Sequence, residues 1–114
     1  MAIDEFTRKQ VDTRLGEFCR TRIPPHARDE IRLSYSFWRS SVILYEERPA
    51  WDNPAEWTKM KVARMEFAKE ARGWTLYAYD RNERSLFYPE LRPNATLEEV
   101  IQEIDDDPTC IFWG

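Results

Sequence analysis

The chain has 114 residues, a net charge of −4, 42% hydrophobic residues and 33% charged residues. This length fits one domain, residues 1–114, and leaves no room for a second. The balance of apolar and charged residues excludes a disordered chain, and no apolar run approaches the roughly 20 residues of a membrane helix. An acidic total also disfavours generic DNA binding, which rests mostly on neutralising phosphates.

The N-terminus lacks the basic and apolar segments of a signal peptide, so we expect a cytoplasmic protein with no membrane contact. Cys19 and Cys110 each follow or precede an apolar residue, which predicts two buried, reduced thiols. A disulfide or a nucleophilic cysteine is the alternative. The two cysteines and His26 are too far apart in sequence to have metal-ligand spacing, so we expect no metal site.

The first predicted element is a helix over residues 4–22. Asp4 can cap it, and Val11, Leu15 and Phe18 share one face at helical spacing. Two prolines at 24–25 then either end the helix or start a short second turn.

A series of strands follows. Residues 31–37 alternate apolar and polar, and residues 42–47 are β-branched and aromatic, which predicts two strands joined by a hairpin. Residues 48–58, with two prolines and two tryptophans, predict an irregular break. Further strands are predicted over residues 60–69, 74–80 and 85–88, with turns at Gly73 and at residues 81–84.

The C-terminal region predicts a second helix. Thr96 and Glu99 have the spacing of a capping box, and an apolar stripe follows. The acidic run at residues 105–107 is expected to be a solvated charge run; the alternative is that it binds a cation or a basic partner. The last four residues, 111–114, are mostly apolar. They either pack into the domain's own core or reach a second subunit, which would make a homodimer.

Together these elements predict an α+β fold: an antiparallel four- to five-stranded meander flanked by an N-terminal and a C-terminal helix. Strands linked by short turns favour the meander connection.

Several sequence stretches resemble a known family. They are Glu47-Arg48-Pro49 followed by Trp51, the turn Asp80-Arg81-Asn82, and the ending Asp107-Pro108-Thr109-Cys110-Ile111-Phe112-Trp113-Gly114. This pattern is similar to a family of small bacterial single-domain proteins known only as a domain of unknown function, over about residues 22–114. The resemblance implies a bacterial source but no activity. The family's ending has glycine where this chain has Cys110, which tells against an essential cysteine nucleophile.

The break at residues 48–58 is the first candidate binding site, because loops carry function more often than the strands that support them. Its candidate residues are Glu46, Glu47, Arg48, Trp51 and Trp57. The tryptophans either hold the loop against the sheet or form a binding surface. Glu46 and Glu47 could supply paired carboxylates, but adjacent strand residues point to opposite faces and cannot grip one ion unless the strand bulges.

A second candidate surface combines Tyr77, Tyr79 and Arg81. Tyr77 and Tyr79 are predicted on the sheet face opposite Trp74, and arginines beside sheet aromatics suit single-stranded nucleic acid. The alternative is that a helix covers the two tyrosines and that the arginines pair with the many acidic residues.

No nucleophile–base pair, metal spacing or glycine-rich phosphate loop is present in the sequence, so no catalytic residue and no cofactor are predicted. The expected function is a non-catalytic binding or protein-interaction module in the bacterial cytoplasm, with an unidentified protein or a second copy as partner. The alternative is a protein that binds or processes nucleic acid, using surface arginines and the Glu46–Glu47 region.

Overall fold

The computed structural model describes residues 2–113 and contains, within that range, two helices, a 3₁₀ turn and five strands. In chain order they are α1 (Glu5–Arg22), the 3₁₀ turn (Pro25–Ala27), β1 (Arg32–Trp38), β2 (Ser41–Pro49), β3 (Trp57–Ala68), β4 (Gly73–Tyr79), β5 (Ser85–Phe87) and α2 (Leu97–Asp106). Neither α1 nor α2, within residues 2–113, is both long and apolar enough to span a bilayer.

The strands form an antiparallel sheet in the order β1-β2-β3-β4-β5. Each strand pairs with its neighbour in sequence, because the connections are short enough to be turns. The predicted α+β meander with a helix at each end is therefore confirmed, with five strands.

The irregular break predicted at residues 48–58 is shorter than expected, and both of its predicted ends are wrong. β2 and β3 stay paired through Arg48↔Thr58 and Pro49↔Trp57, which leaves Ala50–Glu56 as the loop. Pro49 lacks an N–H, but it is the last residue of β2, so only a hydrogen bond at the very end of the pairing is lost. Ala50 N donates to Glu56 O at 2.9 Å and closes the loop.

A β-bulge interrupts the pairing of β2 with β3. Leu44 lies opposite Ala63, whereas Tyr45, the next residue, lies opposite Lys61, so Val62 is an extra residue in β3. Side chains alternate along a strand, and one inserted residue reverses the alternation beyond it. As a result, odd-numbered residues before the bulge and even-numbered residues after it lie on the same face of β3.

Both helices pack on the same face of the sheet. The buried core joins Val11 and Leu15 of α1 and Val100 and Ile104 of α2 to alternate residues of the central strands, such as Met65. Asp4 caps α1 by accepting from Thr7 N at 2.8 Å, and Thr96 with Glu99 forms the predicted capping box of α2.

The C-terminal segment packs against α2 as far as Trp113; Gly114 lies outside the described residues. Asp107 ends the helix in the left-handed region, with φ of 43°, and its carboxylate accepts from Phe112 N and Trp113 N. The Trp113 indole N–H donates to Ile104 O at 2.7 Å, and Phe112 is buried. The acidic run is thus more than a solvated stretch, since Asp107 holds the tail and Asp105 pairs with Arg22.

Candidate functional site

The sheet surface that faces away from α1 and α2 is here called the open face. The registers place on it Arg32, Ser34, Ser36 and Trp38 of β1, Ser41, Ile43, Tyr45 and Glu47 of β2, Trp57, Lys59, Lys61, Arg64 and Glu66 of β3, Thr75, Tyr77 and Tyr79 of β4, and Ser85 and Phe87 of β5. Aromatic and basic residues are mixed across this surface.

Within residues 2–113, Arg39 of the β1–β2 hairpin lies 4.8 Å from the centre of the Trp38 ring at the edge of the open face, and four further cation–aromatic pairs join residues of its strands. The distances from cation to ring centre are 3.9 Å for Arg32–Trp57, 5.1 Å for Lys59–Tyr45, 5.5 Å for Lys61–Tyr79 and 4.0 Å for Arg64–Tyr77. Each pair combines a positive charge with the electron-rich face of a ring. The pairs run from the loop end of β3 across to β4.

The two arginines among these pairs are also neutralised by carboxylates. Arg32 pairs with Glu47 at 3.1 Å, and Arg64 pairs with Glu66 at 2.6 Å. Lys59 and Lys61 form no salt bridge with any residue in the 2–113 range, and both are exposed. Among the strand cations of the open face, these two lysines are therefore the ones without a carboxylate partner.

Glu47 is the buried acid of the open face, with 5% of its surface exposed. Burial by itself would raise the pKa of this carboxyl, but hydrogen bonds from Ser34 and Arg32 and the charges of Arg32 and Lys59 lower the pKa below its ordinary value on balance. Glu47 is thus ionised and holds Arg32 in place beside Trp57.

The residues proposed as a site from the sequence separate into three groups. Glu47, Trp57, Tyr77 and Tyr79 lie on the open face. Glu46 and Arg48 lie on the opposite side of β2, where Arg48 Nε and Glu46 Oε2 are 3.2 Å apart. Trp51 lies in the loop of residues 50–56 and is 95% exposed, and Arg81 is exposed in the β4–β5 turn.

Glu46 and Glu47 point to opposite faces and do not form a joint carboxylate site. Asp80 lies at the start of the β4–β5 turn and is bound within that turn. Its carboxylate accepts from Arg84 N and Asn82 N. The bond from Arg84 N is the main cause of a lowered pKa of Asp80, and the Asn82 N bond and the Arg84 guanidinium lower it further, against an opposing effect of burial.

Tyr45, Lys59, Lys61 and Arg64 were not among the site residues predicted from the sequence. Alternation within each strand is a usable signal for three of them: Tyr45 has the spacing of Glu47 on β2, and Lys59 and Lys61 have that of Trp57 on β3. Arg64 breaks that spacing, because the bulge at Val62 moves an even-numbered residue to the open face.

The chemistry of the remaining reactive residues is limited. Cys19 is half-buried, and burial raises the pKa of its thiol to about 12, against a small lowering by Arg20. Cys110 is exposed, so the prediction that both thiols are buried is wrong for Cys110. Across residues 2–113, no three His, Cys, Asp or Glu side chains are grouped so that they could hold a metal ion.

When the chain is compared with known proteins, it matches one family model but no individual curated protein or solved structure. A family model described as "Domain of unknown function (DUF3024)" matches residues 3–114. The chain therefore belongs to the DUF3024 family.

Proposed function

We propose that this chain is a non-catalytic binding module whose open face binds single-stranded nucleic acid. The observation that carries the proposal is the set of cation–aromatic pairs on that face, from Arg32–Trp57 to Arg64–Tyr77. Single strands are bound by stacking their bases on aromatic rings and by pairing their phosphates with Lys and Arg. The open face offers both chemistries at neighbouring positions.

The acidic total of the chain is compatible with this proposal because its charge is divided between the two sides of the domain. Acidic residues predominate in α2 and its flanks, where residues 90–114 carry seven acids and one arginine. The open face instead carries the unpaired Lys59 and Lys61, while its acids Glu47 and Glu66 are already neutralised. An anionic ligand would approach the open face in preference to α2.

The test uses a matched pair of double variants. The sequence has four lysines, of which Lys59 and Lys61 lie on the open face, while Lys9 lies on α1 and Lys69 in the β3–β4 turn. We expect Lys59→Gln/Lys61→Gln to weaken binding of labelled single-stranded oligonucleotides at least about tenfold at low salt. The control Lys9→Gln/Lys69→Gln changes the net charge equally, and we expect it to bind nearly as well as the wild type.

The salt dependence gives a second measure from the same titrations. Each phosphate neutralised on a single strand contributes about 0.7 to the slope of log K against log salt, so loss of two contacts should reduce the slope by about 1.4. If the wild type binds no oligonucleotide at low salt, or if both double variants lose affinity equally, the open face is not a nucleic-acid surface.

Protein interaction, the function first expected from the sequence, is the second candidate, and Trp51 favours it. This residue is 95% exposed in the loop of residues 50–56, and a tryptophan so exposed is typical of contact residues. A second copy of the chain or another protein would cover it. Sedimentation of the wild type and of Trp51→Ala would test self-association: a dimer that Trp51→Ala abolishes would support this candidate, and a monomer at all concentrations would remove the homodimer.

We further propose that the protein acts in the bacterial cytoplasm. Single-stranded nucleic acid is available there, and Cys19 and Cys110 would stay reduced in that compartment. Fractionation of its host, with detection of the tagged protein, would test this location.

A further inference from the structure

A cavity of about 650 Å³ opens on the open face, between the β1–β2 hairpin and the β4–β5 turn. This volume is within the range of small-molecule sites. Its apolar lining includes Ile43, with Tyr45 and Tyr79 at the sides and the exposed Trp38 at the rim. The cavity thus offers flat aromatic surfaces of the kind on which a planar ring can stack.

Three charged side chains line this cavity: Arg64, which pairs with Glu66, and Lys61 and Glu83, which do not neutralise each other. Lys61 has its ammonium 5.5 Å from the centre of the Tyr79 ring, and Glu83 lies in the β4–β5 turn on the same side. In the ion pairs recorded for residues 2–113, neither Lys61 nor Glu83 takes part. A ligand that presents an anion to Lys61 and a hydrogen-bond donor to Glu83 would satisfy both groups.

The backbone fixes the position of Glu83. Its φ is 60°, in the left-handed region that is unfavourable for a residue with a side chain. The turn is held by Asp80, whose carboxylate accepts from Asn82 N and Arg84 N, while Glu83 N donates to Asp80 O at 2.9 Å. The carboxylate of Glu83 is therefore attached to a braced turn, although the side chain itself is exposed.

We propose that this cavity receives one nucleobase that carries an exocyclic amino group, with Glu83 accepting from that group and Lys61 contacting the adjacent phosphate. This inference rests on the proposed function and adds base preference to it. Cytosine has an amino donor that a carboxylate accepts, whereas thymine and uracil have a carbonyl oxygen at the same position, which a carboxylate repels. The ring would stack beside Tyr79 or Tyr45, as bases do on aromatic side chains.

The experiment compares oligo(dC) with oligo(dT), which differ at the position that Glu83 would contact but are both pyrimidines. Labelled oligonucleotides of about ten residues would be titrated at low salt, pH 7.5, with the wild type, Glu83→Gln and the control Glu70→Gln. Glu70 is an exposed acid in the β3–β4 turn, away from the open face, so its variant has the same change in net charge.

We expect the wild type and Glu70→Gln to bind oligo(dC) about fivefold or more tightly than oligo(dT), and Glu83→Gln to lose this preference. Retained oligo(dT) binding by Glu83→Gln would show that the variant is folded. Equal binding of both oligonucleotides by the wild type, or an unchanged preference in Glu83→Gln, would overturn the base pocket and leave the proposed function intact. Absence of binding to both oligonucleotides by the wild type would overturn both proposals.

Discussion

The guanidinium carbon of Arg32 lies 3.9 Å from the centre of the Trp57 ring. The same guanidinium donates through Nε and Nη2 to Oε1 of Glu47, at 3.2 and 3.1 Å. Glu47 therefore fixes an arginine that in turn covers a tryptophan beside the loop. Residues from three strands meet in this arrangement, so its loss would loosen the loop end of the sheet.

The first prediction concerns Glu47→Gln, which keeps the shape of the side chain and removes its charge. We expect the free energy of unfolding at pH 7 to fall by about 1–2 kcal/mol, because hydrogen bonds to a charged group are lost at a buried position. Urea unfolding would measure the change. Glu66→Gln is the control: its carboxylate pairs with Arg64 on the same face but is about half exposed, so the loss should stay below about 1 kcal/mol.

The pH dependence of that difference has a definite sign. The pKa of Glu47 is lowered in the folded protein, so its ionised form contributes stability above the unfolded-state pKa of about 4.3. The contribution is lost as the pH falls through the lower, folded-state pKa. The gap in unfolding free energy between wild type and Glu47→Gln should accordingly narrow from pH 7 to pH 3, and a constant gap would contradict the assignment.

The second prediction concerns Asp107, the left-handed residue that ends α2. Asp107→Ala removes both acceptors for the Phe112 and Trp113 amides and leaves a less suitable residue at φ of 43°. We expect a loss of about 2–3 kcal/mol and faster hydrogen exchange at those two amides. Asp107→Asn keeps an acceptor and tolerates the left-handed region, so its loss should be smaller; equal losses would argue against this role of the carboxylate.

The third prediction concerns Cys110, which has φ of 60° and an exposed side chain. Glycine adopts this conformation without the strain caused by a Cβ atom, and glycine is also the residue that the family resemblance leads one to expect there. Cys110→Gly should raise the unfolding free energy by about 0.5–1 kcal/mol, although added freedom in the unfolded chain offsets part of the gain. Cys110→Ser retains the Cβ atom, so a similar gain in that variant would rule out backbone strain as the cause.

The fourth prediction contrasts two glycines. A Cβ atom on Gly73 would lie 2.6 Å from Asn94 Cα, at the point where Trp74 and Ala95 exchange backbone hydrogen bonds of 2.8 Å. Since backbone must move, Gly73→Ala should cost about 2–3 kcal/mol in unfolding free energy.

Gly16→Ala is the comparison for that measurement. A Cβ atom there would meet the ends of the Arg20 and Tyr35 side chains at 3.3 and 3.4 Å, and alanine favours the helix. We expect a change within about 1 kcal/mol of the wild type. If both variants lost a similar amount of unfolding free energy, the contact with Asn94 would not be the cause of the loss in Gly73→Ala.

Much of the fold follows from local rules that the sequence displays. Asp4 and Thr96 are good N-cap residues, and both begin helices as predicted. The apolar alternation in residues 31–37 and 74–80 also predicts the strands that form there. These features depend on neighbouring residues, so a single sequence is enough to find them.

The open face depends on relationships between strands and could be predicted only in part. Tyr77 and Tyr79 were assigned to the face opposite Trp74, and the register confirms this. Whether a helix or solvent covers that face is decided by how α1 and α2 pack, which local alternation does not determine. The left-handed residue of the β4–β5 turn is also not evident from the sequence: it is Glu83, although Asn82 is the residue type that better tolerates this conformation.

The extra residue Val62 has a consequence for comparing members of this family. The alternation of side chains between the two faces of β3 reverses at this residue, so the face on which a residue lies depends on whether it comes before or after Val62. A homologue that lacks this residue would have to shift its basic positions by one to present them on the same side. An alignment of family members should therefore place any single-residue gap in β3 at this point, and a correct placement would bring the counterparts of Lys59, Lys61 and Arg64 onto one surface.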